Sequence, residues 1–265
     1  MSSTKIFFIY VLVFTKLFAY VDSDIDGVED AIDLCPDTSF DKLVDENGCP
    51  PNERYWGELS IQIGNDISFD ELDNRTDNYN FFTNYQYKKW NISLSNSDQT
   101  SYDSNNNPST STGDMYLNTG YFFPNDYLQT KIGLGAKIAT ANSEIGTGEN
   151  DYFVSLSFAH ALNEKQNLFS YLSYTLNGDS NETNYKNSVA YSLGTGYMLN
   201  QNWYSSLSYD YSSSIYEEGE AYQALSLFNS YTFLEDYFIT LNYSYGLDEL
   251  SYKHTLSLKL GINFE

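Results

Sequence analysis

From about Tyr55 to the C-terminus, apolar and polar residues alternate with a period of two. The alternation begins at Leu59, Ile61 and Ile63 and ends at Leu256, Leu258, Leu260, Ile262 and Phe264. Successive side chains of a β-strand point to opposite faces, so this pattern predicts strands with one apolar and one polar face. About twelve such segments follow one another, with no helical pattern between them. We therefore expect an all-β fold.

The segments between the expected strands alternate in length. Long polar connections fall at 64–78, 96–113, 142–150, 177–187, 212–220 and 246–251, and short ones at 88–89, 124–126, 163–167, 200–202 and 234–236. In this order the sequence resembles bacterial outer-membrane barrels, which have short periplasmic turns and longer outer loops. The resemblance implies an antiparallel transmembrane β-barrel of about 12 strands over residues 54–265. A secreted β-sandwich or β-helix is the alternative, but it gives no reason for the regular alternation.

Aromatic residues make up 17% of the chain, with 26 Tyr and 17 Phe. Many lie near the ends of the expected strands, where amphipathic rings suit the two boundaries of a membrane. No apolar run reaches about 18 residues, which excludes helical membrane spans. The end of the chain, Gly261 to Phe264, is similar to the terminal aromatic signal of outer-membrane barrels, although Glu265 follows it. The expected partners are outer-membrane lipid and the barrel insertion machinery, which would recognise the C-terminal strand.

Residues 1–19 have the pattern of a secretory signal peptide. Lys5 precedes an apolar run over 6–14, and the segment ends at the small residue Ala19. A membrane anchor is the alternative, but Lys16 interrupts the apolar stretch and its length falls short of about 20 residues. We therefore expect an exported protein that resides in the bacterial outer membrane, with the segment after the signal peptide in the periplasm.

Acidic residues recur at every second position after the expected signal peptide, in the run from Asp22 to Asp26, and Gly27 follows. Ca²⁺ takes six to eight oxygen ligands from such arrays. The run and the Cys-Pro pairs that follow it resemble the thrombospondin type 3 repeat, a calcium-binding segment. The resemblance implies that residues 20–53 bind calcium as cofactor, through Asp22, Asp24, Asp26, Asp30 and Asp33, with Asp45 and Asn47 as further ligands. An acidic solvated linker is the alternative.

Cys35 and Cys49 are the only two cysteines of the chain. An exported protein meets an oxidising compartment, which favours a disulfide between them. A cysteine pair without histidine or further cysteines is a poor zinc site. We therefore predict a disulfide that closes the acidic segment.

The charge of the chain bears on its partners and on the barrel interior. With 13 Lys and Arg against 36 Asp and Glu, the formal net charge is -23, which argues against a nucleic-acid partner. The polar face of the strands carries small hydroxyl and amide side chains that suit a wetted lumen. On that face we place the lysines Lys131, Lys137, Lys253 and Lys259 and the acids Glu58 and Asp210.

This mildly basic inner face predicts a narrow passive channel for small anionic or neutral polar solutes. In the alternative, Lys259 pairs with Glu58 and inward aromatic rings plug the lumen, which leaves a non-conducting structural or adhesion barrel. The rings in question are Phe82, Tyr116, Phe153, Phe169, Tyr171 and Phe238.

A lipid-face hydrolase is the remaining alternative. Outer-membrane phospholipases are also barrels of about twelve strands, with a histidine and a serine on the lipid face. In the two-residue alternation His254 falls on the lipid face. Thr255 and Leu256 follow it, so the His-x-Ser-Asn motif of that family is missing. We therefore expect no enzymatic activity.

Overall fold

The computed structural model describes residues 22–24, 27–36, 38, 44–50, 57–72, 74–102, 108–123, 128–141, 148–179, 185–249 and 251–264. The chain divides into two units, Met1–Tyr55 and Trp56–Glu265. The expected signal peptide at 1–19 lies outside the described residues. Within them, no helix is long and apolar enough to span a membrane.

The second unit is a closed antiparallel barrel of twelve strands, as the sequence predicts. The strands are β1 (Glu58–Phe69), β2 (Arg75–Tyr87), β3 (Trp90–Tyr102), β4 (Pro108–Phe123), β5 (Leu128–Ile138), β6 (Asp151–Ala161), β7 (Gln166–Leu176), β8 (Ser188–Asn200), β9 (Trp203–Ser212), β10 (Tyr222–Thr232), β11 (Tyr237–Gly246) and β12 (His254–Phe264). Each strand pairs with its neighbours in sequence, and β1 pairs with β12 from Leu59↔Phe264 to Phe69↔His254. Closure leaves no unpaired sheet edge.

The two faces of the barrel differ in composition. Large apolar side chains stand exposed on the outer face, among them Ile63 and Leu134, each 59% exposed. Their inward neighbours are small and polar, and Ser93, Ser173 and Ser257 are buried. A soluble protein rarely exposes so continuous an apolar surface, because its hydration is unfavourable. The outer face is therefore suited to lipid and the inner face to water.

Four strands extend further than the sequence pattern indicates. The connections expected at 64–78 and 96–113 are mostly strand, because β1 and β2 continue to Phe69 and from Arg75, and β3 and β4 to Tyr102 and from Pro108. Here polar residues interrupt the outward apolar series, for example Asn65 in β1 and Asp98 opposite Thr112 in β3 and β4. The backbone ladder continues where the apolar alternation stops, so hydrophobic periodicity does not detect it.

Aromatic rings pair on the outer face near both ends of the strands. Beside the short connections, the ring of Trp90 lies 4.9 Å from that of Tyr121. Beside the long ones, Tyr191 stacks on Tyr211 with ring centroids 4.7 Å apart. These positions match the two interfacial belts expected from the sequence.

Candidate functional site: the inner wall of the barrel

Two of the predicted lumen lysines lie on the inner wall without an ion pair among the described residues. Lys131 is on β5, with its Nζ 5.1 Å from the ring centroid of Phe122. Lys259 is on β12 opposite Gly64, and its stem fills the space that a Cβ at Gly64 would occupy. Both side chains are half-buried.

The third predicted lysine is held in a buried cluster at the end of the barrel that carries the long connections. Lys137 Nζ lies 2.5 Å from Asp151 Oδ2 and 3.7 Å from Asp114 Oδ2. Its side chain is 7% exposed, and those of the two acids are 11% exposed. Asp151 also accepts a hydrogen bond from the Gly178 N–H. Lys137 therefore joins β4, β5 and β6 instead of offering a free positive charge.

The prediction for Lys253 is wrong. Parity along β12 placed it on the inner face, but the strand begins one residue later, at His254. Its Nζ lies 5.1 Å from the ring centroid of Tyr245, an outward residue, and 3.5 Å from Glu71 Oε1. Alternation fixes the direction of a side chain only inside a strand.

The expectation of a basic interior is also wrong. Among the described strand residues, three lysines face inward against five acids: Lys131, Lys137 and Lys259 against Glu58, Asp66, Asp114, Asp151 and Asp210. Asp66, Asp114 and Asp151 were not predicted to face the lumen, because they lie in or beside segments that the sequence pattern indicated as loops. If the strands had been expected to continue into those segments, the two-residue alternation would have placed these three acids on the inner face.

The pairing of Lys259 with Glu58 does not occur in this register. Lys259 is opposite Gly64, six positions along β1 from Glu58, which is exposed at the start of that strand. Strands rise about 3.3 Å per residue, so the two side chains are out of reach of each other.

Asp210 on β9 accepts hydrogen bonds from three serine hydroxyls. Ser192 Oγ donates to Oδ1 over 2.5 Å, and Ser226 Oγ and Ser208 Oγ donate to Oδ2 over 2.6 and 3.2 Å. Ser226 is in turn hydrogen-bonded to Ser244, 2.8 Å away. No ion pair to Asp210 is present among the described residues. Its negative charge is therefore solvated by hydroxyls and not neutralised.

Inward aromatic rings lie against glycines on the neighbouring strand. Phe153 is opposite Gly135, and a Cβ at Gly135 would overlap the end of the ring. The same relationship holds for Phe169 with Gly194, and for Phe238 with Gly261. A ring that takes the place of a missing Cβ lies along the wall and does not cross the lumen. The expected aromatic plug is therefore not formed by these three side chains.

The acidic segment of the first unit is organised by its own carboxylates. Asp30 accepts hydrogen bonds from Ser23 Oγ and Ser23 N, and these bonds lower the pKa of its carboxyl below the ordinary value. Asp33 accepts from Cys35 N, and Asp45 accepts from Asn47 N. The predicted disulfide between Cys35 and Cys49 is confirmed.

The side chains of the same segment are of a kind that can bind calcium. Its donor set is all oxygen, which suits Ca²⁺. Asp24 Oδ2 accepts from Thr38 N over 2.7 Å, while Asp24 Oδ1 is buried with no hydrogen-bond partner among the described residues. Gly27 turns the chain with φ of 98° after Asp26, which lies outside the described residues. Among the residues that are described, no three acidic, histidine or cysteine side chains converge on one point. The oxygen donors of the segment are thus of the kind that calcium prefers, and the described side chains do not by themselves form a common site.

Among the described residues, His254 lies against the rings of two tyrosines on the outer face. Its Nδ1 lies 2.8 Å from the Tyr243 hydroxyl, and its ring centroid is 5.5 Å from that of Tyr245. These contacts are those of an aromatic cluster near one end of the barrel, where amphipathic rings suit a membrane boundary.

Known proteins resemble this chain in structure and not in sequence. No protein-family model and no curated protein matches the sequence. An outer membrane channel from Pseudomonas putida F1 superposes with a TM-score of 0.63 at 10% identity, over 82% of this chain and 99% of that one. The fold is that of outer-membrane β-barrels. The KdgM porin superposes with a TM-score of 0.53 at 9% identity, over 78% of this chain and 98% of that one. A second structure of that porin, in complex with disordered oligogalacturonate, gives a TM-score of 0.52 at 10% identity, over the same shares of the two chains.

Proposed function

We propose that the protein is a passive channel of the bacterial outer membrane for small, neutral polar solutes, and not an enzyme. The observation that carries the proposal is the packing of Phe153, Phe169 and Phe238 against glycines, which keeps their rings on the wall. Between them the wall presents hydroxyl and amide groups, which can exchange hydrogen bonds with water or a polyhydroxylated solute. The fold shared with two kinds of outer-membrane channel supports the proposal.

The charges of the wall favour neutral solutes over anionic ones. Lys137 is compensated by Asp114 and Asp151, so two inward lysines remain to attract anions. The acids Asp66 and Asp210 oppose them. A wall that carries charges of both signs, with a small excess of negative charge, repels anions weakly and does not affect uncharged solutes.

The exposed apolar belt supports insertion in a membrane, and the long connections would then face the cell exterior. In this orientation both termini of the barrel and the acidic first unit lie on the periplasmic side.

Liposome swelling tests the channel directly. Vesicles that contain the folded protein are diluted into isotonic arabinose, glucose or a trisaccharide, and the decrease in turbidity is followed. We expect rapid swelling in arabinose and slower swelling in the trisaccharide, because a narrow lumen excludes larger solutes. Protein-free vesicles are the control. Absence of swelling with folded protein would contradict the channel and favour a structural barrel.

We further propose that residues 20–53 bind calcium through the set Asp22, Asp24, Asp26, Asp30, Asp33, Asp45 and Asn47. The oxygen-only donor set and the buried Asp24 Oδ1 support it. Calorimetric titration of the full chain with calcium should give saturable heat, and Asp24→Asn should weaken binding at least about tenfold, since a charged ligand is lost. Asp236→Asn, in a short connection of the barrel, is the matched control. Equal heats for the two variants would contradict the site.

A further inference from the structure

An acceptor-rich group of side chains surrounds Asp210 on the inner wall. Ser192, Ser208 and Ser226 each direct their single hydroxyl proton to its carboxylate. The hydroxyl oxygens keep lone pairs, so the group offers several acceptors and no side-chain donor of its own. A ligand that carries only donors matches such a surface.

Two exposed aromatic rings flank this group on the same face. Tyr171 on β7 is opposite Ser192, and Ser192 is opposite Asp210, so Tyr171 and Asp210 lie two strands apart, about 10 Å between Cα atoms. On the other side, Ala224 is opposite Asp210, and Tyr222 lies two residues before it, a diagonal neighbour at about 7–8 Å. Tyr171 is 37% exposed and Tyr222 is 40% exposed.

The surrounding charge adds to the preference for a cation. The inward lysines without ion pairs among the described residues, Lys131 on β5 and Lys259 on β12, are four and three strands away from β9. The carboxylate of Asp210 is thus the nearest strand charge to the space between the two rings. A positive group there would meet a carboxylate, hydroxyl lone pairs and the faces of aromatic rings, which attract cations.

We propose that Asp210, its three serines and the rings of Tyr171 and Tyr222 form a binding site for small organic ammonium ions in the wall of the lumen. A metal cation would use the oxygens but not the rings, so the aromatic flanks favour an alkylammonium ligand. The site deepens the proposed function and rests on it, since a solute must enter the lumen to reach Asp210. It gives an otherwise weakly selective channel one preferred class of charged solute.

The test uses methylammonium and ethylammonium chloride with protein folded in a non-ionic detergent. Calorimetric titration should show saturable binding, with Asp210→Asn at least about tenfold weaker. Tyr171→Leu should weaken binding about threefold, and Tyr171→Phe should retain it, because a phenyl ring keeps the cation–π attraction. Glu58→Gln, which removes another inward acid at the start of β1, should bind like the unaltered protein.

Recordings in planar bilayers separate this site from the channel itself. The two ammonium ions should reduce the potassium current in a concentration-dependent manner, and Asp210→Asn should relieve this block. Binding in detergent without any conductance would contradict the proposed function and leave the site intact. Conductance with no saturable ammonium binding, or equal binding by Asp210→Asn and the unaltered protein, would overturn the site.

Discussion

Lys137 Nζ and Asp151 Oδ2 lie 2.5 Å apart in a buried ion pair that joins β5 to β6. The two residues are directly opposite in the strand register, so their side chains meet without distortion of the ladder. Asp114 approaches the same ammonium from β4 and also accepts hydrogen bonds from Thr140 N and Ala141 N. One lysine therefore links three strands and the start of a long connection.

Removal of this lysine should destabilise the barrel. Lys137→Met leaves two buried carboxylates without their cation, and loss of one partner of a buried ion pair costs about 3–5 kcal/mol. Urea unfolding of the protein in detergent or vesicles should show a lower midpoint for this variant. Lys259→Met, the same change at a residue without an ion pair among the described residues, should lower the midpoint less. Equal midpoints for the two variants would contradict the role of the cluster.

The packing of Phe153 on Gly135 predicts a narrower lumen when a side chain is added. In Gly135→Val the new Cβ takes the space of the ring, so the ring must leave the wall and enter the lumen. Single-channel conductance should fall, and the double variant Gly135→Val with Phe153→Ala should recover it. An unchanged conductance in the folded single variant would mean that the ring has another position on the wall.

The disulfide between Cys35 and Cys49 should stabilise the acidic segment. Closing a loop of about 15 residues is worth about 3 kcal/mol in the chain-entropy model. Replacement of both cysteines by serine should therefore speed cleavage within residues 22–50 by proteinase K, while the barrel band on a gel persists. A cleavage rate equal to that of the unaltered protein would show that the segment is held by other contacts.

The hydrogen bonds from Ser23 to Asp30 predict a pH dependence. They lower the pKa of the Asp30 carboxyl in the folded state, with the Ser23 hydroxyl as the main cause. The contribution to stability is therefore complete above the ordinary carboxyl pKa and is lost as the pH falls through the lowered one. An NMR titration of the Asp30 carboxyl carbon should show a lowered pKa that returns toward the ordinary value in Ser23→Ala. An unshifted pKa in the unaltered protein would contradict the contact.

The strand order could be predicted because a lipid-facing barrel needs alternation along every strand, and residues such as Leu256, Leu258 and Leu260 provide it. The full length of strands β1 to β4 could not be predicted, because outward polar residues such as Asn65 and Asp98 interrupt the apolar alternation. The register of closure was also beyond the sequence, because the length of a connection does not fix which residues oppose each other.

The candidate site could also be predicted only in part. The inward direction of Lys131, Lys259 and Asp210 follows from the two-residue alternation of side chains in strands whose apolar pattern is regular. The partners of Lys137 were not predicted, because Asp114 and Asp151 lie in strands at positions where the apolar alternation of the sequence has already ended. The serines around Asp210 are too common in the chain to be distinguished before the register brings them together.

Single-channel recording of the folded protein in planar bilayers would show whether the barrel conducts ions. We expect stable conductance steps and a reversal potential that indicates a weak preference for cations, since five inward acids oppose three inward lysines in the described strands. No conductance from folded protein, or a clear preference for anions, would contradict it.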